Sequence, residues 1–147
     1  MLIPVSAMDR MGRQRIRVGR DVEIHEGVEI YGNVDIGEGV QIAAPGDING
    51  NGSSISIGAF CDIAAFVTIG CADSHKKCIG QSDEIERLPI AIEDHVFIGQ
   101  GAMILGGTSI GHHSVIGAGA VLKGERVPPY TLVHGARAVI EGYHYEP

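Results

Sequence analysis

The fold is decided by residues 90–123, IAIEDHVFIGQGAMILGGTSIGHHSVIGAGAVLK, in which an aliphatic residue recurs at every sixth position. A step of six turns an α-helix through about 240°, so no single helical face would stay apolar. Short strands joined by corners satisfy the pattern, and the sequence predicts a solenoid of such strands. The repeated residues are Val18, Ile24, Ile30, Ile36 and Ile42, then Ile57, Ile63 and Ile69, then Ile92, Ile98, Ile104, Ile110, Ile116 and Leu122.

A second set of residues stands two positions before the first and shares its inward face, because alternate side chains of a strand point the same way. This set is Ile16, Val22, Val28, Val34, Val40, Ile55, Cys61, Val67, Ile90, Val96, Ala102, Thr108, Ser114 and Ala120. Glycine often follows the repeated aliphatic residue, which predicts corners with close backbone approach or unusual backbone angles. These glycines are Gly19, Gly37, Gly58, Gly70, Gly99, Gly111 and Gly117.

The composition suits one aliphatic domain. The chain has 147 residues, 22 of them glycine, no tryptophan and a net charge of -7, which disfavours a nucleic-acid partner. We predict a single domain over 1–147, with hexads at about 16–140, a lead-in at 1–15 and a short tail at 141–147. No signal peptide or apolar span is visible, and three cysteines without CxxC spacing favour a reduced, cytoplasmic chain without membrane insertion.

Two interruptions break the period. From Ile42 to Ile57 the step is 15 residues, and the intervening AAPGDINGNGSS, residues 43–54, reads as an exposed loop or as a contact for an acceptor. From Ile69 to Ile92 the step is 23 residues. We predict an extended loop around residues 72–89, and its polar start brings Asp73 and His75 together in sequence.

The repeat [LIV]-[GAED]-x-x-[STAV]-x resembles that of the hexapeptide-repeat acyltransferases. Three later blocks, IEDHVFIG, GAGAVLKGERVPPY and HGARAVI, look like the C-terminal half of the sugar O-acetyltransferase branch. The resemblance implies an all-β, left-handed parallel β-helix and a homotrimer. It further implies transfer of acetyl from acetyl-CoA, as co-substrate, to a hydroxyl or amine of a sugar or nucleotide-linked sugar.

The same resemblance assigns the catalytic groups. A histidine of the extended loop is the general base in these enzymes, which implies His75, with direct attack of the acceptor on the thioester. Asp73, Glu84 or a backbone carbonyl would orient the ring, and the sequence leaves these alternatives open. A main-chain N–H at Gly99 or Gly101 would stabilise the oxyanion.

The resemblance also implies which residues contact coenzyme A. Backbone groups around Gly117, Ala118 and Gly119 would line the pantetheine arm. The family's GNPAK ending is changed to Gly135-Ala136-Arg137-Ala138-Val139, so the usual basic residue is missing in place. The phosphate contacts would then come from Lys123, Arg126 and Arg137.

Three other interpretations compete. Cys71 and Cys78 lie near His75 and could act as a nucleophile, although structural or surface thiols are the simpler reading. A γ-carbonic-anhydrase-like zinc site would use His75 and His112, but Gly117 stands where a third histidine is needed, so no metal is expected. A non-catalytic trimeric scaffold would have no use for the loop that carries His75.

Overall fold

A computed structural model describes residues 15–135, so Arg137, the tail at 141–147 and most of the lead-in lie outside the described residues. Within this range the chain forms short strands and one four-residue helix. The elements are β1 (Arg15–Val18), β2 (Glu23–Ile24), β3 (Val28–Ile36), β4 (Gln41–Ile42), β5 (Gly46–Ile57), β6 (Asp62–Ile63), β7 (Val67–Gly70), β8 (Ala72–Asp73), α1 (His75–Cys78), β9 (Glu86–Arg87), β10 (Ile90–Ile92), β11 (Phe97–Ile98), β12 (Met103–Leu105), β13 (Ser109–Ile110), β14 (Val115–Ile116), β15 (Val121–Lys123), β16 (Arg126–Val127) and β17 (Leu132–Val133).

The strands stack in parallel, coil upon coil. Ile92 lies opposite Ile110, and Ile98 lies opposite Ile116, so one coil holds 18 residues, which is three hexads. The described strands form a nine-stranded sheet, a six-stranded sheet and one antiparallel pair, β8 with β9. The predicted left-handed parallel β-helix with an extended loop is confirmed.

The core consists of the two predicted inward sets. Every member within the described residues is buried except Ile16 and Val18 of the first coil, which are partly buried. The two polar members, Thr108 and Ser114, donate from their hydroxyls to the carbonyls of Leu105 and Pro128. Because aliphatic side chains stack on their counterparts in the next coil, the core is a set of continuous ladders.

The corners explain the glycines. Gly37 has ordinary backbone angles, but a Cβ there would lie 2.7 Å from the Ala59 nitrogen of the next coil. The left-handed backbone angles instead fall three residues after the repeated aliphatic position. There the chain uses glycine at Gly101 (φ +76°) and also larger residues such as His95 (φ 56°). Of the two predicted reasons for glycine at the first corner residue, the structure shows close approach between the backbones of neighbouring coils.

Both interruptions leave the solenoid at the same corner. The prediction of a loop over residues 43–54 is wrong, because Gly46–Ile57 is one continuous strand and Ile48 is buried opposite Ile69. The period therefore continues from Ile42 to Ile48, and only three extra residues enter afterwards. They form a bulge in residues 51–54, where the pairing of β3 with β5 shifts register.

The second interruption is larger. Ile69 pairs with Ile104, a separation of 35 residues, so 17 residues beyond one 18-residue coil are inserted after β7. Because Ile48, Ile69 and Ile104 share one column, the inserted loop leaves the corner directly beside the bulge.

Candidate active site

The inserted loop has its own small framework. Cys71 is buried at its start, and β8 then pairs with β9 so that Asp73 lies opposite Glu86. Between these strands the chain makes the short helix α1, which begins at His75. The loop is thereby closed at its base, and its polar side chains gather beside the solenoid corner.

Asp73 and His75 are in direct contact. Oδ1 of Asp73 accepts hydrogen bonds from the backbone N–H of His75 at 3.0 Å and lies 2.6 Å from its ring Nδ1. Both side chains are about a third exposed. When Nδ1 donates to the carboxylate, Nε2 carries the lone pair, which is the form that a general base requires. Of the three orienting groups that the sequence left open, the structure brings Asp73 to the ring.

The other carboxylate oxygen of Asp73 meets a different part of the chain. Oδ2 lies 2.5 Å from Nζ of Lys123, on β15. The hydrogen bond from Lys123, with those from His75, holds the pKa of Asp73 well below its usual range. Asp73 therefore stays ionised at any pH at which the neighbouring imidazole could act as a base.

A second ion pair crosses the loop. Nζ of Lys76 lies 2.7 Å from Oε1 of Glu86, and this contact lowers the pKa of Glu86. Sequence reasoning named Glu84 as an orienting carboxylate and missed Glu86. The antiparallel pairing of β8 with β9, which a two-residue strand does not signal in sequence, is what brings Glu86 opposite Asp73.

Three side chains of this loop offer a possible set of metal ligands. Asp73, His75 and Glu86 each offer a ligand atom, and these atoms lie within 4.8 Å of one another. However, both carboxylates already hold lysine ammonium groups, so the donors are compensated without an ion. His112, the partner required by the carbonic-anhydrase reading, lies at a different corner, against His113 and Tyr130.

The bulge at residues 51–54 supports the loop. Nη1 of Arg87 donates to the carbonyl of Asn51 at 2.8 Å, and a Cβ on Gly52 would lie 2.3 Å from the Arg87 side chain. The Cys71 thiol lies 3.4 Å from the Ser54 carbonyl. The bulge is therefore a platform on which the loop packs, a role that sequence reasoning did not assign to it.

The predicted coenzyme A contacts occupy a second corner. Gly99 stacks directly on the next coil, where a Cβ on it would lie 2.6 Å from the nitrogen of Ala118 and 2.9 Å from the carbonyl carbon of Gly117. The amides of Gly99 and Gly101 already donate to the carbonyls of Ile116 and Ala65. Because each amide has one proton, this geometry does not support either as the oxyanion donor within one chain.

The remaining predicted residues are dispersed. Arg126 lies exposed on β16, opposite Ser109, and Lys123 forms an ion pair with Asp73. Burial raises the pKa of the Cys71 thiol, which weakens the reading of Cys71 as a nucleophile. Cys78 is exposed at the end of α1, and the structure shows no disulfide at either residue.

One further corner carries a column of rings that sequence reasoning did not find. Phe60, His95, His113 and Tyr130 stack in succession, with centroids 5.3, 4.8 and 5.1 Å apart. All four adopt left-handed backbone angles, since they share the third corner position on successive coils. These four residues are 35, 18 and 17 positions apart, as are the strand pairs of the same coils, and this unequal spacing hides the column in the sequence.

The comparisons with known proteins agree with the fold. A family model described as bacterial transferase hexapeptide (six repeats) matches residues 89–124. A hexapeptide-repeat-containing acetyltransferase from Vibrio cholerae is 29% identical, with a TM-score of 0.71 over 79% of this chain and 66% of that chain. The same Vibrio protein is known in complex with acetyl coenzyme A. No curated protein matches the sequence.

Two sugar acetyltransferases are also similar. A maltose O-acetyltransferase from Clostridium difficile 630 is 28% identical, with a TM-score of 0.57 over 80% of this chain and 60% of that chain. A galactoside acetyltransferase in complex with coenzyme A is 28% identical, with a TM-score of 0.61 over 80% and 58%. The chain thus spans between 58% and 66% of the length of these three proteins.

This chain shares the hexapeptide repeat and the solenoid with the hexapeptide-repeat acetyltransferases, to which it is similar. Among residues 15–135, no helix has the length and apolar character needed to span a bilayer.

Proposed function

We propose that the protein is a coenzyme A-dependent acetyltransferase that acts on a hydroxyl of a sugar or nucleotide-linked sugar, with His75 as general base. The observation that carries this proposal is the Asp73–His75 pair, held at 2.6 Å on the large loop that leaves the solenoid within residues 15–135. The similar proteins support the donor, since two of them are known with acetyl coenzyme A or coenzyme A bound.

The chemistry follows from the orientation of the ring. Nε2 of His75 takes the proton of the acceptor hydroxyl as its oxygen attacks the thioester carbonyl carbon. The tetrahedral oxyanion then collapses, the carbon–sulfur bond breaks, and the departing thiolate takes the proton from Nε2. Asp73 stays ionised throughout and stabilises the transient imidazolium through Nδ1. No acyl group is carried by the protein, so no cysteine is required.

The donor would lie along the corner where the backbones of Gly99, Gly117 and Ala118 approach one another, since small residues there leave room for a pantetheine arm. Gly101, at the same corner, would line it as well. Arg126, and Arg137 outside the described residues, would contact the phosphates as guanidinium forks.

A sugar acceptor is supported by the comparisons and by the loop. The maltose and galactoside enzymes act on sugars by name, and both are 28% identical to this chain. Asp73, His75, Lys76 and Glu86 give the loop a polar, partly exposed surface suited to hydroxyl groups. Biosynthesis or modification of a polysaccharide is the corresponding role, and an amine acceptor is the second choice.

An outward apolar stripe supports the homotrimer. Phe97, Val115 and Leu132 lie in register on the six-stranded sheet and are 41%, 42% and 63% exposed. Earlier coils place Glu23, Gln41 and Asp62 on the same outer face. Side chains so apolar and so aligned are typical of a surface that another copy covers.

The location we propose is the cytoplasm. Cys61, Cys71 and Cys78 are free thiols, and a reducing compartment keeps them so.

Thiol release from acetyl-CoA, measured with a panel of sugars and amino sugars, tests the proposal. We expect release that depends on an acceptor, and a loss of roughly 100- to 10,000-fold in kcat/KM for His75→Ala. His25→Ala serves as the matched control, since His25 is exposed between β2 and β3 and should keep wild-type rates. Equal rates for His75→Ala and wild type would overturn the assignment of the base, and wild-type inactivity with binding of zinc would favour the metal reading.

A further inference from the structure

We infer that Lys123 is a positioning residue for catalysis, which fixes the carboxylate of Asp73 against the ring of His75, and that it does not serve the phosphates of coenzyme A. The inference rests on the proposed function and replaces the phosphate role that the sequence suggested for Lys123.

The two oxygens of Asp73 are divided between two partners. Oδ1 faces the backbone N–H and Nδ1 of His75, and Oδ2 faces Nζ of Lys123 at 2.5 Å. A carboxylate that is held at both ends cannot rotate about its terminal torsion without losing one contact. Lys123 therefore selects the one rotamer in which Asp73 meets Nδ1, and that contact leaves Nε2 as the base.

The solenoid explains why this lysine is in reach. Lys123 lies in register with Leu105 on the neighbouring coil, and Leu105 lies in register with Gly70, the last residue of β7 before the loop. A Cβ on Gly70 would meet nothing within 4 Å, so no atom crowds this residue on the side where a side chain would stand. The contact between Lys123 and Asp73, which we call the tether, thus joins the stacked coils to the start of the loop.

The charges around the imidazole are balanced. Asp73 and Glu86 are negative, Lys76 and Lys123 are positive, and each carboxylate has one lysine partner. Glu125 lies beyond this group and binds the backbone N–H of Lys123. Removal of the Lys123 charge leaves one excess negative charge beside the ring.

The kinetic experiment compares Lys123→Met with Lys77→Met, which removes the same charge from an exposed position of the same loop. For Lys123→Met we expect kcat to fall roughly 10-fold, with KM for acetyl-CoA changed less than about 2-fold. Lys123→Arg should restore most of the rate, because a guanidinium also pairs with a carboxylate. Lys77→Met should behave as wild type.

Two further measurements separate the positioning role from its rivals. In an Asp73→Asn background, Lys123→Met should have no additional effect on kcat if Lys123 acts through Asp73. Acetyl-dephospho-CoA provides the other test. If KM for acetyl-CoA rises 10-fold or more in Lys123→Met, and the preference over the dephospho donor disappears, then Lys123 binds phosphate and the inference is wrong.

A readout without turnover keeps this inference distinct from the proposed function. Nitrogen-15 NMR of the histidine rings reports which nitrogen of His75 carries the proton. We expect the Nδ1–H form in the wild-type protein and a mixture of both forms in Lys123→Met. An unchanged tautomer would overturn the positioning role even if the enzyme is active. A changed tautomer in a protein with no thiol release would support the tether and refute the proposed activity.

Discussion

The solenoid body and the loop of residues 71–89 are held together by opposite kinds of interaction. In the body, aliphatic side chains stack from coil to coil and backbone groups pair with the adjacent coils. In the loop, Cys71 is buried, and charged contacts such as Asp73–Lys123 and Lys76–Glu86 add to the backbone pairing of β8 with β9. The contacts that stabilise the fold and the groups of the proposed chemistry therefore lie in separate parts of one small domain, and we expect that each part can be changed without the other.

The largest expected effect on stability distinguishes two isoleucines. Ile104 is fully buried in the body, whereas Ile79 in the loop is 52% exposed. Ile104→Ala should lower the free energy of unfolding by about 3 kcal/mol, through lost burial and the cavity it leaves. Ile79→Ala should cost less than about 0.5 kcal/mol. Urea denaturation of both variants measures this difference. Equal losses of unfolding free energy would contradict the distinction between body and loop.

A smaller effect is expected from two glycines that share one hexad position. A Cβ on Gly37 would lie 2.7 Å from the Ala59 nitrogen, but a Cβ on Gly70, where the loop begins, would meet nothing within 4 Å. Gly37→Ala should therefore destabilise the protein by about 2 kcal/mol. Gly70→Ala should be neutral or slightly stabilising, because alanine restricts the unfolded chain. Thermal unfolding that ranks the two variants in reverse order would contradict this account of the corners.

Arg87 offers a more local test, because it joins the loop to the bulge. Loss of its hydrogen bond to the Asn51 carbonyl in Arg87→Ala should weaken the closed loop by about 1 kcal/mol. Hydrogen exchange should then accelerate in residues 71–89 and remain unchanged in the core strands. Arg20→Ala, at a highly exposed surface pair, is the control. Faster exchange throughout the solenoid would show that loop and body are a single cooperative unit.

The smallest effect concerns two carboxyls whose pKa values shift in opposite directions. Burial and the nearby Glu29 raise the pKa of Asp47 in the body, whereas Lys123 lowers that of Asp73 in the loop. A raised pKa contributes stability below about pH 4 that is lost as pH increases, and a lowered pKa contributes stability above about pH 4 that is lost as pH falls.

Asp47→Asn should therefore raise the melting temperature slightly at pH 7 and leave it unchanged near pH 3. Asp73→Asn should loosen the loop at pH 7 and have no effect on it in strong acid. Melting curves for the first variant and loop hydrogen exchange for the second, each recorded across this range, measure the two signs. Identical pH trends in the two variants would contradict the opposite pKa shifts of Asp47 and Asp73.

Much of the body was predictable from sequence because a solenoid makes burial periodic. The step of six identified both inward sets, and His75 with Asp73 stood out in the larger interruption. The resemblance gave the handedness, which periodicity does not contain. Gly, Asn and Ser favour loops, and for this reason the sequence predicts a loop at the first interruption. That prediction is wrong, because Ile48 is buried in the core ladder and the strand continues through the corner.

The polar contacts of the site were not predictable in the same way. Lys123 lies 50 residues from Asp73, and its pairing depends on how the coils register and where the loop folds back. Glu86 meets the site through a two-residue antiparallel strand that leaves no periodic signal. The amides of Gly99 and Gly101 seemed available, but the hydrogen bonds that join the coils already use them. Such features belong to the stack as a whole and to no local segment.

The distance along the chain between Asp73 and Lys123 also has a consequence for synthesis. A solenoid can assemble from its N-terminus as it leaves the ribosome, since each coil pairs only with its neighbours. The loop carrying His75 is synthesised before Lys123, so the contact between Asp73 and Lys123 forms only after the coil with β15 has been added. A chain released before that point would stack most of its coils and still hold an untethered base. Such a chain would lack the contact that orients Asp73 toward His75 in the proposed mechanism.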